Sequence, residues 1–442
     1  MSERSPVTIR RLVALGALFC LGLLAAATQA ESRRAADLGT RLLAREPDLG
    51  ATAVASSSAK RPLRIPYRGG PVLHSTRVHL IFWQPAGSGL AFDPDYAPIV
   101  AQFVQDVAAM SHMTTNVFAL TGQYRDARGP AAYAVRYAGS LLVSDPLPSS
   151  ECTEPASTGP GWSVCLTAVQ IQQELEHVIE AEHLPSGPPN VYVLLTPAGL
   201  GDCQDTASSS CALGGSRTGY CGYHSWTTAG IIYAVVPFNA VAGHCESGSP
   251  RPNSSSADPA LSTIAHELVE TVTDPYGNAW ITSSGDEIAD VCLSAFGRAL
   301  GGEGAVSWNQ TINGHHYWLQ EVYGRLQRRC ESRPRPDRVA IVGPRQLAAG
   351  VRTTFTARAR QPGGAVKSYR WSFGTGRTAY RRSVSRVYAR GGRYRIMLRI
   401  TDSADNWAFA GANVSVTPRP QAAAPARKHR ARTRVARSRD SG

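Results

Sequence analysis

The chain has 442 residues and a formal net charge of +13, with 46 Lys and Arg residues against 33 Asp and Glu residues. Much of this excess lies at the C-terminus, where residues 418–442 contain eight basic residues and one acidic residue, Asp440. Because the remainder is only mildly basic, the composition gives no support for specific nucleic-acid binding by a folded domain.

The N-terminal segment, residues 1–30, has the layout of a secretory signal. Arginines precede an apolar run from Leu12 to Ala27, and small residues including Ala30 follow. This run is too short to span a bilayer, and no later stretch is apolar for long enough. We therefore expect cleavage near Ala30, a secreted or cell-surface-associated protein and no membrane span.

Two further segments carry no sustained hydrophobic period. Residues 31–60 mix Ala, Arg and Ser, which predicts a linker or a pro-segment. Residues 418–442 are rich in Ala, Arg and Pro, a composition that buries too little apolar surface to fold and predicts a disordered tail. Adhesion to an anionic envelope polymer is one interpretation of this basic tail, and a solvated tail without a ligand is the favoured one.

Residues 61–332 are predicted to form an α/β domain. The β-branched and aromatic run from Val78 to Trp83 predicts a buried strand. Ile99, Phe103 and Val107 recur at helical spacing and predict a helix after it. The other predicted elements are strands at 132–137, 191–195 and 231–238 and helices at 168–183 and 261–272. This order fits a sheet backed by helices.

The cysteines point to a disulfide framework. Cys20 lies within the signal, and an even set of eight remains: Cys152, Cys165, Cys203, Cys211, Cys221, Cys245, Cys292 and Cys330. In an exported chain such a set is typical of disulfides, and we expect sequential pairing. None of them forms a CxxC pair, which argues against a thiolate zinc site or a redox motif.

The chain changes character after Ser332 to Asp337, a stretch of alternating prolines and charges that breaks both periodicities. Residues 333–417 contain short alternating runs such as Tyr394, Ile396 and Leu398, separated by turn signals and without cysteine. About eighty residues of this kind suit a single antiparallel β-sandwich.

This second region resembles the polycystic-kidney-disease (PKD) domain family. The resemblance rests on Tyr369-Arg-Trp371-Ser-Phe373-Gly374-Thr-Gly376, on Val387-Tyr388 and on the run from Gly392 to Asp402. Trp371 and Phe373 would fill the core from one face of a strand, and the two glycines would permit the turn after it. The resemblance implies an immunoglobulin-like sandwich that serves as an extracellular spacer or as a carbohydrate- or protein-binding module.

The resemblance is incomplete at the positions where the family commonly carries carboxylates. Ser372 follows the tryptophan where Asp is common, and Thr375 stands in a turn that is commonly Gly-Asp-Gly. These replacements argue against a calcium role for this domain.

The sharpest chemical signal is the stretch from Ala265 to Pro275. On a helix, His266 and Glu270 are four residues apart and project from one face, as two metal ligands must. Glu267 lies beside them and is the candidate general base, which makes it the predicted catalytic residue. This HExxE pattern is an HExxH motif whose second His is replaced by a carboxylate, and zinc accepts oxygen ligands.

Candidates for a third ligand lie downstream between Gly285 and Cys292, where carboxylates recur at helical spacing. The arrangement resembles that of gluzincin metallopeptidases, in which a Glu from the next helix completes the site and a nearby Asp supports the first His. That resemblance implies Glu287 as the third ligand and Asp290 as the residue that supports His266. Asp286 and Asp274 remain competing ligands, and the histidines His224, His244, His315 and His316 are weaker candidates for lining the cleft.

The first domain also resembles the phosphate-induced protein 1 family, called EXORDIUM-like. The shared landmarks are Gly69 to Leu73, Cys221-Gly222, Thr271 to Asn278 and the cluster from Glu287 to Cys292. Plant members of that family generally lack the His-Glu pair, so the resemblance implies a fold rather than a role. The order of its strands and helices also looks like that of a zincin catalytic domain.

Together these patterns lead to one leading hypothesis, a secreted metal-dependent hydrolase that acts on peptides, with a divalent ion, zinc first, as cofactor. The rival is a non-catalytic binding protein of the cell envelope built on a degenerate zincin scaffold. A purely structural metal site is a third alternative. We expect a monomer whose partners are protein, peptide or cell-wall polysaccharide.

Overall fold

The computed structural model describes residues 64–155, 161–213, 218–241, 245, 249–360, 365–403 and 405–419. The chain divides near Asp337 into two units, which are described separately below. The predicted signal, the linker, His244 and residues 420–442 lie outside the described residues.

The first unit combines helices with short strands. Its helices are α1 (Tyr96–Ala109), α2 (Ala168–Ala181) and α3 (Asp258–Thr273). Its strands are β1 (Thr76–Trp83), β2 (Val135–Val143), β3 (Val164–Thr167), β4 (Asn190–Leu195), β5 (Leu200–Cys203), β6 (Ser210–Ala212), β7 (Thr218–Tyr220), β8 (Tyr223–Trp226), β9 (Ile232–Val236), β10 (Gln310–Ile312), β11 (His315–Tyr317), β12 (Val322–Gly324) and β13 (Arg329–Glu331). No helix in these ranges is both long and apolar enough to cross a membrane.

The main sheet has five strands in the order β2-β1-β4-β9-β8. β1, β2, β4 and β9 run parallel, and β8 pairs antiparallel to β9 at the edge. Every residue of β4 is buried, which explains why its sequence is a continuous apolar run: a central parallel strand is covered on both faces.

Helices cover both faces of this sheet. Alternate residues of the strands separate into two cores: Val191 and Val193 belong to the core that contains α1 and α3, whereas Tyr192 and Leu194 belong to the core that contains α2. α2 begins with a capping box in which Thr167 and Gln170 satisfy each other's backbone N–H groups. The predicted α/β sheet backed by helices is therefore present.

Two sequence predictions need correction. The strand expected at 132–137 runs from Val135 to Val143, because pairing with β1 begins at Thr76 opposite Val135. Glu287 does not lie on a helix; only a single 3-10 turn, Asp290–Cys292, forms in this segment. The reason is that the backbone N–H groups of Ala289 and Asp290 donate to the Glu270 carboxylate instead of continuing a helical ladder.

Four disulfides link the cysteines in chain order, which confirms the sequential pairing. They are Cys152–Cys165, Cys203–Cys211, Cys221–Cys245 and Cys292–Cys330. The first two lie at a small four-stranded sheet of order β3-β5-β6-β7: one links Cys152 to β3, and the other links β5 to β6. Cys165, Cys203 and Cys211 form a local cluster there.

The second unit is a β-sandwich. Its strands are β14 (Asp337–Val342), β15 (Gln346–Ala348), β16 (Arg352–Arg360), β17 (Val366–Ser372), β18 (Thr378–Ala379), β19 (Ser383–Val387), β20 (Gly392–Asp402) and β21 (Trp407–Thr417), arranged in sheets β14-β16-β19 and β15-β21-β20-β17-β18. Trp371 and Phe373 are buried in its core, and Gly374 and Gly376 take φ values of +70° and +76° in the following turn. Glycine suits both positions because it adopts positive φ values without the steric penalty that a Cβ atom causes.

Candidate metal centre

The centre begins with two side chains one turn apart on α3. His266 Nε2 lies 3.2 Å from Glu270 Oε2, and both residues are buried. This is the pairing that their i, i+4 spacing predicted.

The segment that carries Glu287 and Asp290 wraps around Glu270. Glu270 Oε1 accepts hydrogen bonds from the N–H groups of Ala289 and Asp290, at 2.9 and 3.0 Å. Asp290 Oδ2 accepts a bond from the Glu287 N–H, and its Oδ1 lies 3.3 Å from His266 Nε2. Asp290 therefore reaches the same imidazole nitrogen as Glu270, rather than supporting His266 through the opposite nitrogen.

The edge strand of the main sheet contributes a second imidazole, that of His224. His224, on β8, has its Nδ1 3.3 Å from Glu267 Oε2 and its Nε2 3.7 Å from Glu287 Oε1. Sequence reasoning gave His224 only a minor role, because nothing in the spacing of residues 224 and 266 indicates that they meet. The available signal was a histidine on a short strand directly after the Cys221-Gly222 turn.

Gly222 allows β8 to approach α3 this closely. A Cβ at this position would stand 2.6 Å from Thr263 Cγ2 and 3.3 Å from Glu267 Oε1. The neighbouring Cys221–Cys245 disulfide anchors the same turn. Only glycine fits here without displacing the helix or the strand.

Gln320 fixes the orientation of His266. Its Nε2 donates to the carbonyl oxygen of Ala289 at 2.7 Å, so its Oε1 is the atom that lies 3.5 Å from His266 Nδ1. Nδ1 therefore faces a hydrogen-bond acceptor, and Nε2 faces the carboxylates of Glu270 and Asp290. Metal-binding imidazoles commonly have this pattern, with the second nitrogen donating to an oxygen.

Many buried polar atoms in the cluster lack a hydrogen-bond partner. Among the described residues these atoms are His266 Nε2, Glu267 Oε1, Glu270 Oε2, Asp274 Oδ2, both Glu287 carboxylate oxygens and Asp290 Oδ1. Each of these residues is at most 6% exposed. Because buried polar groups are rarely left unpaired, convergent nitrogen and oxygen atoms of this kind fit the ligand shell of a cation.

Two sets of three side chains in this cluster are close enough to hold a cation. They are His266, Glu267 and Glu270, and His224, Glu270 and Glu287; within each set the possible ligand atoms lie within 4.8 Å of one another. The sulfur atoms of Cys152, Cys165 and Cys203 are equally close, but they belong to disulfides.

The electrostatics are those of crowded carboxyl groups. Burial and the charges of Asp274 and Glu270 raise the pKa of Glu287 well above its ordinary value, while burial and Glu270 raise the pKa of Asp290 to about 7. Burial opposes protonation of His266, but Glu270 and Asp290 outweigh it and raise the pKa of that imidazole. The cluster thus favours the presence of positive charge.

The remaining candidates lie apart from the cluster or are partly satisfied. Asp286 accepts hydrogen bonds from Thr282 and Ser284 in a turn. Asp274 Oδ1 accepts bonds from the Asn278 and Ala279 N–H groups. His315 contacts Asp106 at 2.7 Å, and His316 stacks on Trp308.

Comparison with known proteins concerns the second unit. The family model for the PKD domain matches residues 333–416. Residues 333–416 are a PKD domain. No curated protein matches the chain, and the EXORDIUM-like resemblance of the first domain stays a prediction.

Solved structures similar to this chain include further PKD domains. The PKD1 domain of the Vibrio cholerae metalloprotease PrtV is 20% identical, over 19% of this chain and 98% of that one, with a TM-score of 0.17. The PKD1 domain of Vibrio anguillarum Epp is 21% identical, over 20% and 98%, with a TM-score of 0.18. The PKD domain of an M14-like peptidase from a Thermoplasmatales archaeon is 18% identical, over 20% and 98%, with a TM-score of 0.18. At these TM-scores the likenesses carry no argument about the first unit.

Proposed function

We propose that the first unit is a hydrolase that depends on a divalent metal ion, with zinc as the first candidate ion and peptides as the substrate class. The observation that carries this proposal is the approach of Glu270 Oε2 and Asp290 Oδ1 to His266 Nε2, at 3.2 and 3.3 Å. Ligands bound tetrahedrally about 2 Å from zinc are separated by about 3.3 Å. The two separations therefore suit zinc ligation.

His266 and Glu270 would hold the ion from α3. Glu287, the predicted third ligand, and Asp290 both offer oxygens without hydrogen-bond partners, so either carboxylate could complete the set. Gln320, rather than Asp290, supports the Nδ1 side of His266. One imidazole among carboxylates binds zinc less tightly than the usual histidine-rich sets and favours a harder ion such as Mn²⁺ as the runner-up.

When bound, such an ion lowers the pKa of water and polarises a carbonyl group. Glu267 is placed to accept the proton, because its Oε1 has no hydrogen-bond partner while its Oε2 contacts His224. β8 lies at the edge of the main sheet next to Glu267, where an extended peptide could pair with its backbone. The HE-bearing helix α3 follows the strands of the main sheet in the chain, in the order that the resemblance to zincin catalytic domains implies.

The rival function is a non-catalytic envelope-binding protein with a structural metal site. One observation favours it: His224, Glu267, Glu270 and Glu287 are at most 2% exposed. A substrate must reach the reacting groups, whereas a structural ion needs only to be enclosed.

The PKD domain would act as a spacer or binding module, with proteins, peptides or cell-wall polysaccharide as partners. We propose that the chain works outside the cytoplasm, since its four disulfides are typical of exported proteins.

The decisive experiment measures metal content by elemental mass spectrometry on the purified mature protein, with His266→Ala and a surface control, His177→Ala. We expect about one equivalent or more of a divalent ion, reduced by His266→Ala but not by the control, followed by cleavage of a peptide library. Absence of metal from the wild type would remove the hydrolase proposal. Bound metal without any product would transfer support to the structural role.

A further inference from the structure

Glu270 lies between two imidazoles that come from different elements. On one side its Oε2 is 3.2 Å from His266 Nε2, and on the other it is 3.9 Å from His224 Nδ1. A carboxylate flanked in this way can contribute to two coordination sets.

The set on the β8 side is complete without His266. His224 Nε2 lies 3.7 Å from Glu287 Oε1, and ligand atoms of His224, Glu270 and Glu287 lie within 4.8 Å of one another. Neither oxygen of Glu287 has a hydrogen-bond partner, although this residue is fully buried. His224 Nδ1 contacts Glu267 Oε2, and an imidazole with a carboxylate on one nitrogen is oriented to bind a metal through the other.

The cluster contains more carboxyl groups than one divalent ion can balance. Five carboxyl side chains are buried there, from Glu267, Glu270, Asp274, Glu287 and Asp290, with only two imidazoles beside them. One divalent ion would balance two of these five carboxylates. Each remaining carboxyl group must be protonated, paired with an imidazolium or bound to a second cation, and the partnerless oxygens of Glu287 favour the cation there.

We propose that a second divalent cation binds between His224, Glu270 and Glu287, with Glu270 shared between both ions. The proposal rests on the proposed function in two respects: Glu270 also holds the first ion, and Asp290, whose Oδ1 lies 3.3 Å from His266 Nε2, rather than Glu287, completes the first ligand set. Paired ions sharing ligands are used by aminopeptidases and by phosphatases and nucleases. The substrate screen should therefore contain phosphate esters as well as peptides.

The test is equilibrium dialysis of the full mature chain against buffered Zn²⁺, followed by elemental mass spectrometry. We expect the wild type and His177→Ala to saturate at two equivalents, and Glu287→Gln and His224→Ala to saturate at one. Glu287→Gln keeps the size of the side chain, so it decides the matter if His224→Ala does not fold; far-UV circular dichroism reports folding for each variant.

The outcomes separate the two proposals. Saturation of the wild type at one equivalent, lost in His266→Ala, overturns the second site and leaves the first intact; His224 would then be the counter-charge between Glu267 and Glu287. Two equivalents retained in both Glu287→Gln and His224→Ala also overturn it. Absence of bound zinc from the wild type overturns both.

Discussion

Two buried carboxylate sites in the first unit differ in how their oxygens are satisfied. Asp106, on α1, accepts hydrogen bonds from Gln102, Asn313, His315 and Tyr317, so both of its oxygens are fully engaged. In the α3 cluster, by contrast, Glu270 Oε2 and both oxygens of Glu287 have no such partner. The comparison separates a carboxylate whose hydrogen bonds stabilise the fold from carboxylates with partnerless oxygens, which the proposed metal site would use.

The largest expected effect concerns Glu267. Replacing Glu267 with Gln removes a proton acceptor but keeps the side-chain shape, so we expect hydrolytic turnover to fall about 10²- to 10⁴-fold with metal content unchanged. Turnover and elemental analysis on the same preparation test this. Glu180→Gln, on the exposed face of α2, is the matched control and should behave as the wild type. Full activity of Glu267→Gln would mean that another group acts as the base.

Metal removal should destabilise the protein through the α3 cluster and leave the interactions of Asp106 unchanged. An ion present at about a thousandfold its dissociation constant stabilises a fold by about 4 kcal/mol. We therefore expect chelation to lower the melting temperature of the wild type, and to lower it much less in His266→Ala. Calorimetry with and without chelator measures the difference. An equal response of both proteins would place the stabilising ion elsewhere.

Neutralising a carboxylate should have opposite consequences at the two sites. Asp106→Asn loses charged hydrogen bonds and should destabilise the unit by about 2 kcal/mol. In chelated protein, burial and the neighbouring carboxylates already favour the uncharged form of Glu287, whose oxygens have no hydrogen-bond partner, so Glu287→Gln should be neutral or stabilising. Urea unfolding of the two variants under chelation checks this contrast. Similar losses in both variants would show that Glu287 is satisfied as Asp106 is.

A smaller and pH-dependent effect is expected at Asp126, a third enclosed carboxylate. Burial opposes its ionisation, but hydrogen bonds from the Val72 N–H, His74 and the Arg128 N–H lower its pKa to about 2. Because the folded pKa lies below the unfolded one, the stabilisation is present above about pH 4 and is lost as the pH falls towards 2. Asp126→Asn should therefore cost about 1 to 2 kcal/mol at pH 7 and almost nothing near pH 2, as measured by urea unfolding at both pH values.

The sequence predicted those features that depend on local periodicity. The i, i+4 spacing brought His266 and Glu270 to one helix face, and the apolar runs located the central strands. In the PKD domain, Trp371 and Phe373 fill the core as the motif implies.

What the sequence did not predict depends on tertiary contacts. His224 reaches Glu267 across 43 positions because an edge strand packs against α3, and no local pattern encodes that approach. The helix expected around Glu287 is absent because Glu270 captures the backbone N–H groups that a helix would use. Side-chain capture of backbone donors overrides helical propensity in such places.

Glu270 connects the proposed cation site to the backbone, because its Oε2 faces the imidazoles and its Oε1 accepts hydrogen bonds from the Ala289 and Asp290 N–H groups. Binding of an ion by Glu270 would therefore also affect the hydrogen bonds of these two backbone N–H groups. The exchange of these amide protons with deuterium should slow when an ion binds and become faster when it is removed. Amide exchange at Ala289 and Asp290 would thus report ion binding without a substrate or an added label.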